Sequence, residues 1–271
     1  MQNIRLTLQY SGFRYAGWQR PEKDGYEKTV SYKVMSVLQK MTGEDICLYA
    51  GAKTAPGVHA LAQTVNFFTG SMLSPGQFRT NLNRYLPQDI AVLDAVSVPD
   101  LFRADLNALS RTYEYRICTA PVYDIFTAGY TAHLFPMPQI DRMKKAADML
   151  IGKHDFGCFS GIRKKKGTEK NLLDIRFELV RENRTSAAEN TDSPADALII
   201  TLTADDFLYQ MPLRLVSALL EIGQGQRTPE NILDIFAGRE KSAISCETKG
   251  LLLRSVQYEQ STGTVLPHET R

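Results

Sequence analysis

The chain has 271 residues, of which 43% are apolar, enough to bury a sizeable core as one large domain or two smaller ones. Its 32 basic and 30 acidic side chains leave a net charge near +2, which excludes a uniformly basic polyanion binder and restricts any nucleic-acid surface to a local patch. The four cysteines (Cys47, Cys118, Cys158 and Cys246) are scattered, with no CxxC pair. That spacing argues against zinc and a disulfide framework, and predicts buried free thiols in a reducing cytosol.

Met1 leads straight into a strand pattern, so no signal peptide is expected, and no apolar run approaches the ~20 residues needed to span a bilayer. Ile4, Leu6, Leu8 and Tyr10 alternate with Arg5, Thr7 and Gln9, the period of a half-buried strand. Thr29 to Met41 carries Val30, Val34, Val37, Leu38 and Met41 at helical spacing. Ile46 to Tyr49 and Gln63 to Phe68 read as strands around a loop from Ala50 to Ala60. Pro75 suits a first helical turn, where its missing N–H costs nothing, and leads into Phe78, Leu82, Tyr85 and Leu86. With a strand over Ile90 to Val98, the order is β-α-β-β-α-β, a ferredoxin-like unit.

A second unit follows. Strands are predicted over Arg111 to Cys118, Leu172 to Arg181, Leu198 to Leu202 and Leu251 to Tyr258, with helices over Ile140 to Ile151, Phe207 to Ile222 and Pro229 to Phe236. The expected class is α+β, two ferredoxin-like halves sharing a mainly antiparallel sheet. The boundaries fall at residues 1–105, 106–259 and a flexible tail over 260–271. Asn183 to Asp196 is polar and contains a proline, which predicts a hairpin insert.

Several constellations have both a structural and a functional reading. Trp18, the one tryptophan, sits in Gly17-Trp18-Gln19-Arg20, where a packing anchor is the plain reading. Arg163, Lys164, Lys165 and Lys166 with Lys170 form the one dense basic run. Such a run is commonly a solvated loop, and is also what an RNA backbone seeks. Tyr113 and Tyr115 share a strand face beside Arg111; core packing suits Tyr115, whereas a tyrosine ring next to a cation also suits stacking on an extruded base. His154-Asp155-Phe156 has no serine motif to accompany it and reads as a turn.

Gly17-Trp18-Gln19-Arg20, Gly57-Val58-His59-Ala60, the Tyr113/Tyr115 strand, His154-Asp155-Phe156 and the Phe207–Gly225 segment occur in order and with family-like spacing from about residue 3 to 258. In this the chain resembles the TruA family of tRNA pseudouridine synthases. The composition and the lack of a leader or spanning run predict a cytoplasmic chain without metal or membrane association, and the resemblance implies a homodimer with a basic cleft for tRNA, acting without cofactor. It implies that a uridine is flipped out, attacked by an aspartate, and rejoined to its ribose through carbon. It further implies Tyr113 stacking on the base, and Lys53, His59, Trp18, Arg20 and Arg111 as substrate-binding residues.

The departures concentrate at the chemistry. Where the family reads Gly-Ala-Gly-Arg-Thr-Asp-Ala-Gly-Val-His-Ala, the aspartate position is Ala55 and the arginine is Lys53. The family's Phe-His-Ala-Arg is Phe102-Arg103-Ala104-Asp105, and its Met-Val-Arg is Met211-Pro212-Leu213. The aspartate's partner arginine is thus Leu213, with Arg214 about 100° away around the helix. Losing the aspartate alone would strand a buried arginine at about 3–5 kcal/mol, whereas replacing both by apolar groups is often neutral or stabilising. The expectation is a family member that binds tRNA or other structured RNA with no catalytic residue in place. Two alternatives stay open: an active isomerase using Asp105 or altered geometry, and a dimeric interaction protein that has left RNA behind.

Overall fold

The computed structural model describes residues 1–20, 25–162, 166–181 and 196–259. Arg163, Lys164 and Lys165, most of the expected Asn183–Asp196 insert and the 260–271 tail lie outside the described residues.

Among the described residues a sheet of ten strands runs through both halves. In the first half, β1 (Gln2–Tyr10) pairs antiparallel with β3 (His59–Thr69) on one side and with β4 (Ile90–Val98) on the other. The short β2 (Tyr49–Ala50) pairs with β3. Helix α1 (Val30–Thr42) begins at Thr29, whose hydroxyl accepts from the Tyr32 amide. Helix α2 (Pro75–Tyr85) begins in a capping box between Ser74 and Gln77, with Pro75 in its first turn. Both bury their apolar stripes with Ile4, Leu6, Leu8 and Val65; Phe67 of β3 meets Phe78 of α2 edge-on at 5.3 Å.

The second half contains β5 (Ala108–Cys118), the two-residue β6 (Ala132–His133), α3 (Ile140–Leu150), β7 (Gly152–Asp155), β8 (Glu169–Val180) and β9 (Ala197–Ala204). These are followed by α4 (Met211–Gly223), α5 (Asn231–Phe236) and β10 (Leu251–Tyr258). The main path of the sheet is β4-β1-β3-β10-β5-β9-β8-β7. The last strand therefore closes the seam: β10 lies parallel to β3 and antiparallel to β5. Helix α4 is apolar on almost every side and correspondingly buried.

Four expectations are corrected. The strand expected over Ile46 to Tyr49 is reduced to β2. The long helix begins at Met211 rather than Phe207, because Gln210 takes a left-handed backbone (φ 61°) and Pro212 stands in the first turn. The four cysteines are free, but only Cys118 is buried: Cys158 and Cys246 are half-buried and Cys47 is exposed. The turn expected at His154-Asp155-Phe156 is in part strand: His154 and Asp155 end β7, Phe156 opens a 3-10 turn, and Asp155 caps the Gly157 amide at 2.8 Å.

Candidate functional site

The 50–57 loop is held from below by side chains of the sheet. Gln63 donates to the Ala52 carbonyl at 2.6 Å and accepts from the Ala52 amide at 3.2 Å. The Tyr10 and Thr54 hydroxyls are 2.8 Å apart. From the side, the Trp18 amide donates to the Thr54 carbonyl at 3.0 Å, while the Ser31 amide at the start of α1 donates to Trp18 O at 3.0 Å. Gly17 is required here: its φ is +95°, and a Cβ would stand 2.8 Å from Thr54 O.

Between this loop and the start of α4 lies a cleft of about 830 Å³. Ala55 (9% exposed) and Leu213 (1%) both line it. The site is open, with an apolar wall where the expected carboxylate and guanidinium would meet. Tyr113 lines it too, 5% exposed and edge-on to Phe207 at 5.2 Å. Burial raises the Tyr113 phenol, with the charges of Tyr10 and Asp206 acting in the same direction, so it stays protonated and remains a donor.

Arg20, Lys53, Arg111 and Asp105 complete the set of expected residues that the cleft brings together. Lys53 is exposed, without an ion pair among the described residues. Arg111 is buried and structural as well as polar: Nε donates to Gly51 O at 2.9 Å and a terminal nitrogen to the Asp205 carbonyl. Asp105 is clasped by Arg103 through two hydrogen bonds of 3.0 and 2.9 Å. That guanidinium also sits 3.6 Å from the centre of the Tyr49 ring.

Four expected residues lie elsewhere. Trp18 is core, its ring stacked on Tyr10 at 6.2 Å. His59 lines a separate hollow of about 820 Å³ with Phe13, Arg116 and Tyr130, and its Nδ1 accepts from the Gly12 amide at 3.0 Å. Neither lines the cleft. Lys166 is exposed outside the cleft lining, and Lys170 is half-buried behind it. Ile162, the residue before Arg163, does line the cleft. Arg214 is likewise turned away, donating to the Ser242 carbonyl.

The structure adds Asp206, Tyr209 and Gln210 to the lining. Asp206 is paired with Lys170 at 2.8 Å and lies 3.7 Å from Arg111. In the sequence its only signal is an aspartate pair directly before the apolar entry to α4. Among the described residues no group of three or more His, Cys, Asp or Glu could hold a metal ion, and no helix is long and apolar enough to cross a membrane.

Comparison with known proteins places the architecture. Residues 146–259 match a family model described as tRNA pseudouridine synthase. Over 259 residues the chain is 33% identical to tRNA pseudouridine synthase A of Bacillus sp. (strain KSM-64), covering 95% of this chain and 100% of that one. It is 34% identical over 263 residues to tRNA pseudouridine synthase A 2 of Bacillus cereus, with 95% and 100% covered. A Clostridium tetani protein, also tRNA pseudouridine synthase A 2, is 32% identical over 259 residues, with 95% and 99% covered. The chain belongs to the TruA family of tRNA pseudouridine synthases.

Proposed function

We propose that this chain is a TruA-family protein that binds tRNA or a similarly structured RNA in its cleft and does not isomerise uridine. One observation carries this reading: Ala55 and Leu213 line the same open cleft, so the positions of the nucleophile and its guanidinium partner are both apolar. An alanine methyl has no lone pair with which to attack ribose or base and no proton to exchange.

Binding needs less than catalysis. Cations at the cleft contact phosphate, a protonated phenol and aromatic edges contact a base, and the apolar wall excludes water. Arg20, Lys53, Arg111 and Tyr113 supply those groups, and the Arg163–Lys166 run follows directly on a cleft-lining residue. The acting form is proposed to be a homodimer, as the family resemblance implies, in the cytoplasm, as the composition suggests. The reading in which Asp105 replaces the lost nucleophile is disfavoured by its two hydrogen bonds to Arg103, which hold the carboxylate on its own loop.

The test is binding of an unmodified tRNA transcript to the full chain across a salt series. Affinity that falls with a steep log–log salt slope supports the reading; absent or salt-independent binding contradicts it.

A further inference from the structure

One carboxylate in the cleft has no counterpart among the residues matched to the family's chemistry. Asp206 stands directly before Phe207, its side chain is 47% exposed, and it lines the cleft with Ala55 and Tyr113. Lys170, which does not itself line the cleft, donates to Oδ2 at 2.8 Å and so fixes the carboxylate from outside. Arg111 Nε stands 3.7 Å from Oδ1, attractive as an ion pair but beyond hydrogen-bond length. Because Arg111 is anchored on the carbonyls of Gly51 and Asp205, Asp206 is presented from a rigid base, with lone pairs on Oδ1 still available.

The rest of the wall offers neutral acceptors on Gln19, Tyr209 and Gln210, but only one other carboxylate, Asp105. Ala55, Pro56, Val58 and Leu213 offer none from their side chains, and Arg20 and Lys53 only donate. The Thr54 hydroxyl is engaged with Tyr10 at 2.8 Å. Asp105 is held at both oxygens by Arg103. Among the carboxylates lining the cleft, Asp206 alone has an oxygen without a hydrogen bond among the described residues.

We propose that Asp206 is a specificity-determining residue that accepts the ring N3–H of a uracil-type base lodged against Tyr113. The assignment rests on the RNA-binding reading above. An acceptor-only group beside an aromatic ring suits the Watson–Crick edge of an unstacked base. The imide edge of uracil carries one N–H between two carbonyls, and Arg111 and the Tyr113 hydroxyl line the same cleft as donors for carbonyl oxygen. Cytosine in that pose turns the lone pair of its ring N3 toward the carboxylate and is repelled. Uridine and pseudouridine share the imide, so the site does not distinguish them: it reads the base that its relatives are named for producing as well as the one they start from.

The test uses the full chain and four short oligonucleotides: oligouridine and its counterparts made wholly of pseudouridine, 3-methyluridine or cytidine. Fluorescence anisotropy at low salt gives each Kd for the wild type, Asp206→Ala and Asp206→Asn. Thermal unfolding confirms that these half-exposed substitutions leave the fold intact. The wild type is expected to bind the uridine and pseudouridine oligomers within about twofold of each other. It is expected to bind the 3-methyluridine and cytidine oligomers about tenfold or more weakly, as for loss of a hydrogen bond to a charged group. Asp206→Ala should erase those differences, and Asp206→Asn should retain a part of them. Wild-type tolerance of N3 methylation overturns the assignment while leaving RNA binding standing. So does an Asp206→Ala variant that binds all four more tightly, which would make Asp206 a mere neutraliser of Arg111 and Lys170. No binding to any oligomer or to tRNA overturns both readings.

Discussion

Ala55, on the loop after β2, and Leu213, in the first turn of α4, line one cleft although they come from different halves of the chain. The motif resemblance implies that each stands where the family has a charged group, the one an aspartate and the other an arginine. A buried ion pair is costly to break and cheap to remove whole, because removing one member leaves the other charged and desolvated. The two apolar residues are thus mutually consistent: either alone would be a defect, and together they are a wall.

This consistency is measurable. Ala55→Asp alone should lower stability by about 3 kcal/mol, and Leu213→Arg by a comparable amount, since each buries a charge without a partner. The double variant should recover at least half of the summed loss. Urea denaturation of the wild type, both single variants and the double variant gives the coupling directly. Additive losses would mean that the two positions do not meet across the cleft.

Gly17 offers a test of how the catalytic-type loop is held. With φ at +95° and Thr54 O only 2.8 Å from the place an added methyl carbon would occupy, Gly17→Ala is both strained and obstructed. A loss of about 1–3 kcal/mol is expected, read from the denaturant midpoint. Because Thr54 adjoins Ala55, RNA affinity should weaken as well. Gly25→Ala is the comparison: it shares the left-handed backbone (φ +80°) but meets nothing within 4 Å. It should show only the smaller backbone penalty.

Much of this is legible in the residues, and the failures have physical causes. The alternation of Ile4, Leu6, Leu8 and Tyr10 marks β1, and Pro75 with Phe78 and Leu82 marks α2. Periodicity misplaces the start of α4 because Phe207 and Leu208 continue its apolar rhythm, whereas the left-handed Gln210 is a backbone property that periodicity does not encode. Strands β6 and β7 are too short to show a period. At the cleft, Ala55 and Leu213 stand out as departures from a motif, but motif membership does not reveal orientation. Trp18 and His59 belong to the same motifs and face other surroundings. Asp206 carries little signal in the sequence because its significance depends on Lys170 and Arg111, which only the sheet brings beside it.

His59 provides a pH signature. Burial lowers its pKa below the usual 6.5, against the opposing effect of the Lys249 and Gly129 backbone. A histidine depressed in the fold favours the neutral state, so its contribution is complete above the unfolded value. That contribution is lost as pH falls through 6.5 toward the folded value. The wild type should lose stability more steeply than His59→Gln between about pH 7 and 5. Equal slopes in urea denaturation across that range would contradict the burial of a neutral imidazole.

Lys53 is exposed at the cleft, and Arg254 lies outside its lining, bonded to Glu114 at 2.9 Å. Lys53→Ala should weaken tRNA binding and reduce the log–log salt slope by about 0.7–0.9, the value of one phosphate contact. Arg254→Ala should leave the slope unchanged. A slope insensitive to Lys53 would move the RNA path away from this cleft.

The most direct measurement is a single-turnover reaction of the full chain with unmodified tRNA transcripts, at protein concentrations shown by titration to saturate binding, followed by chemical mapping of pseudouridine. The expected result is bound RNA with no pseudouridine above the protein-free control. Pseudouridine formed at a defined position by the wild type would contradict the reading of Ala55 and Leu213 as a wall without chemistry.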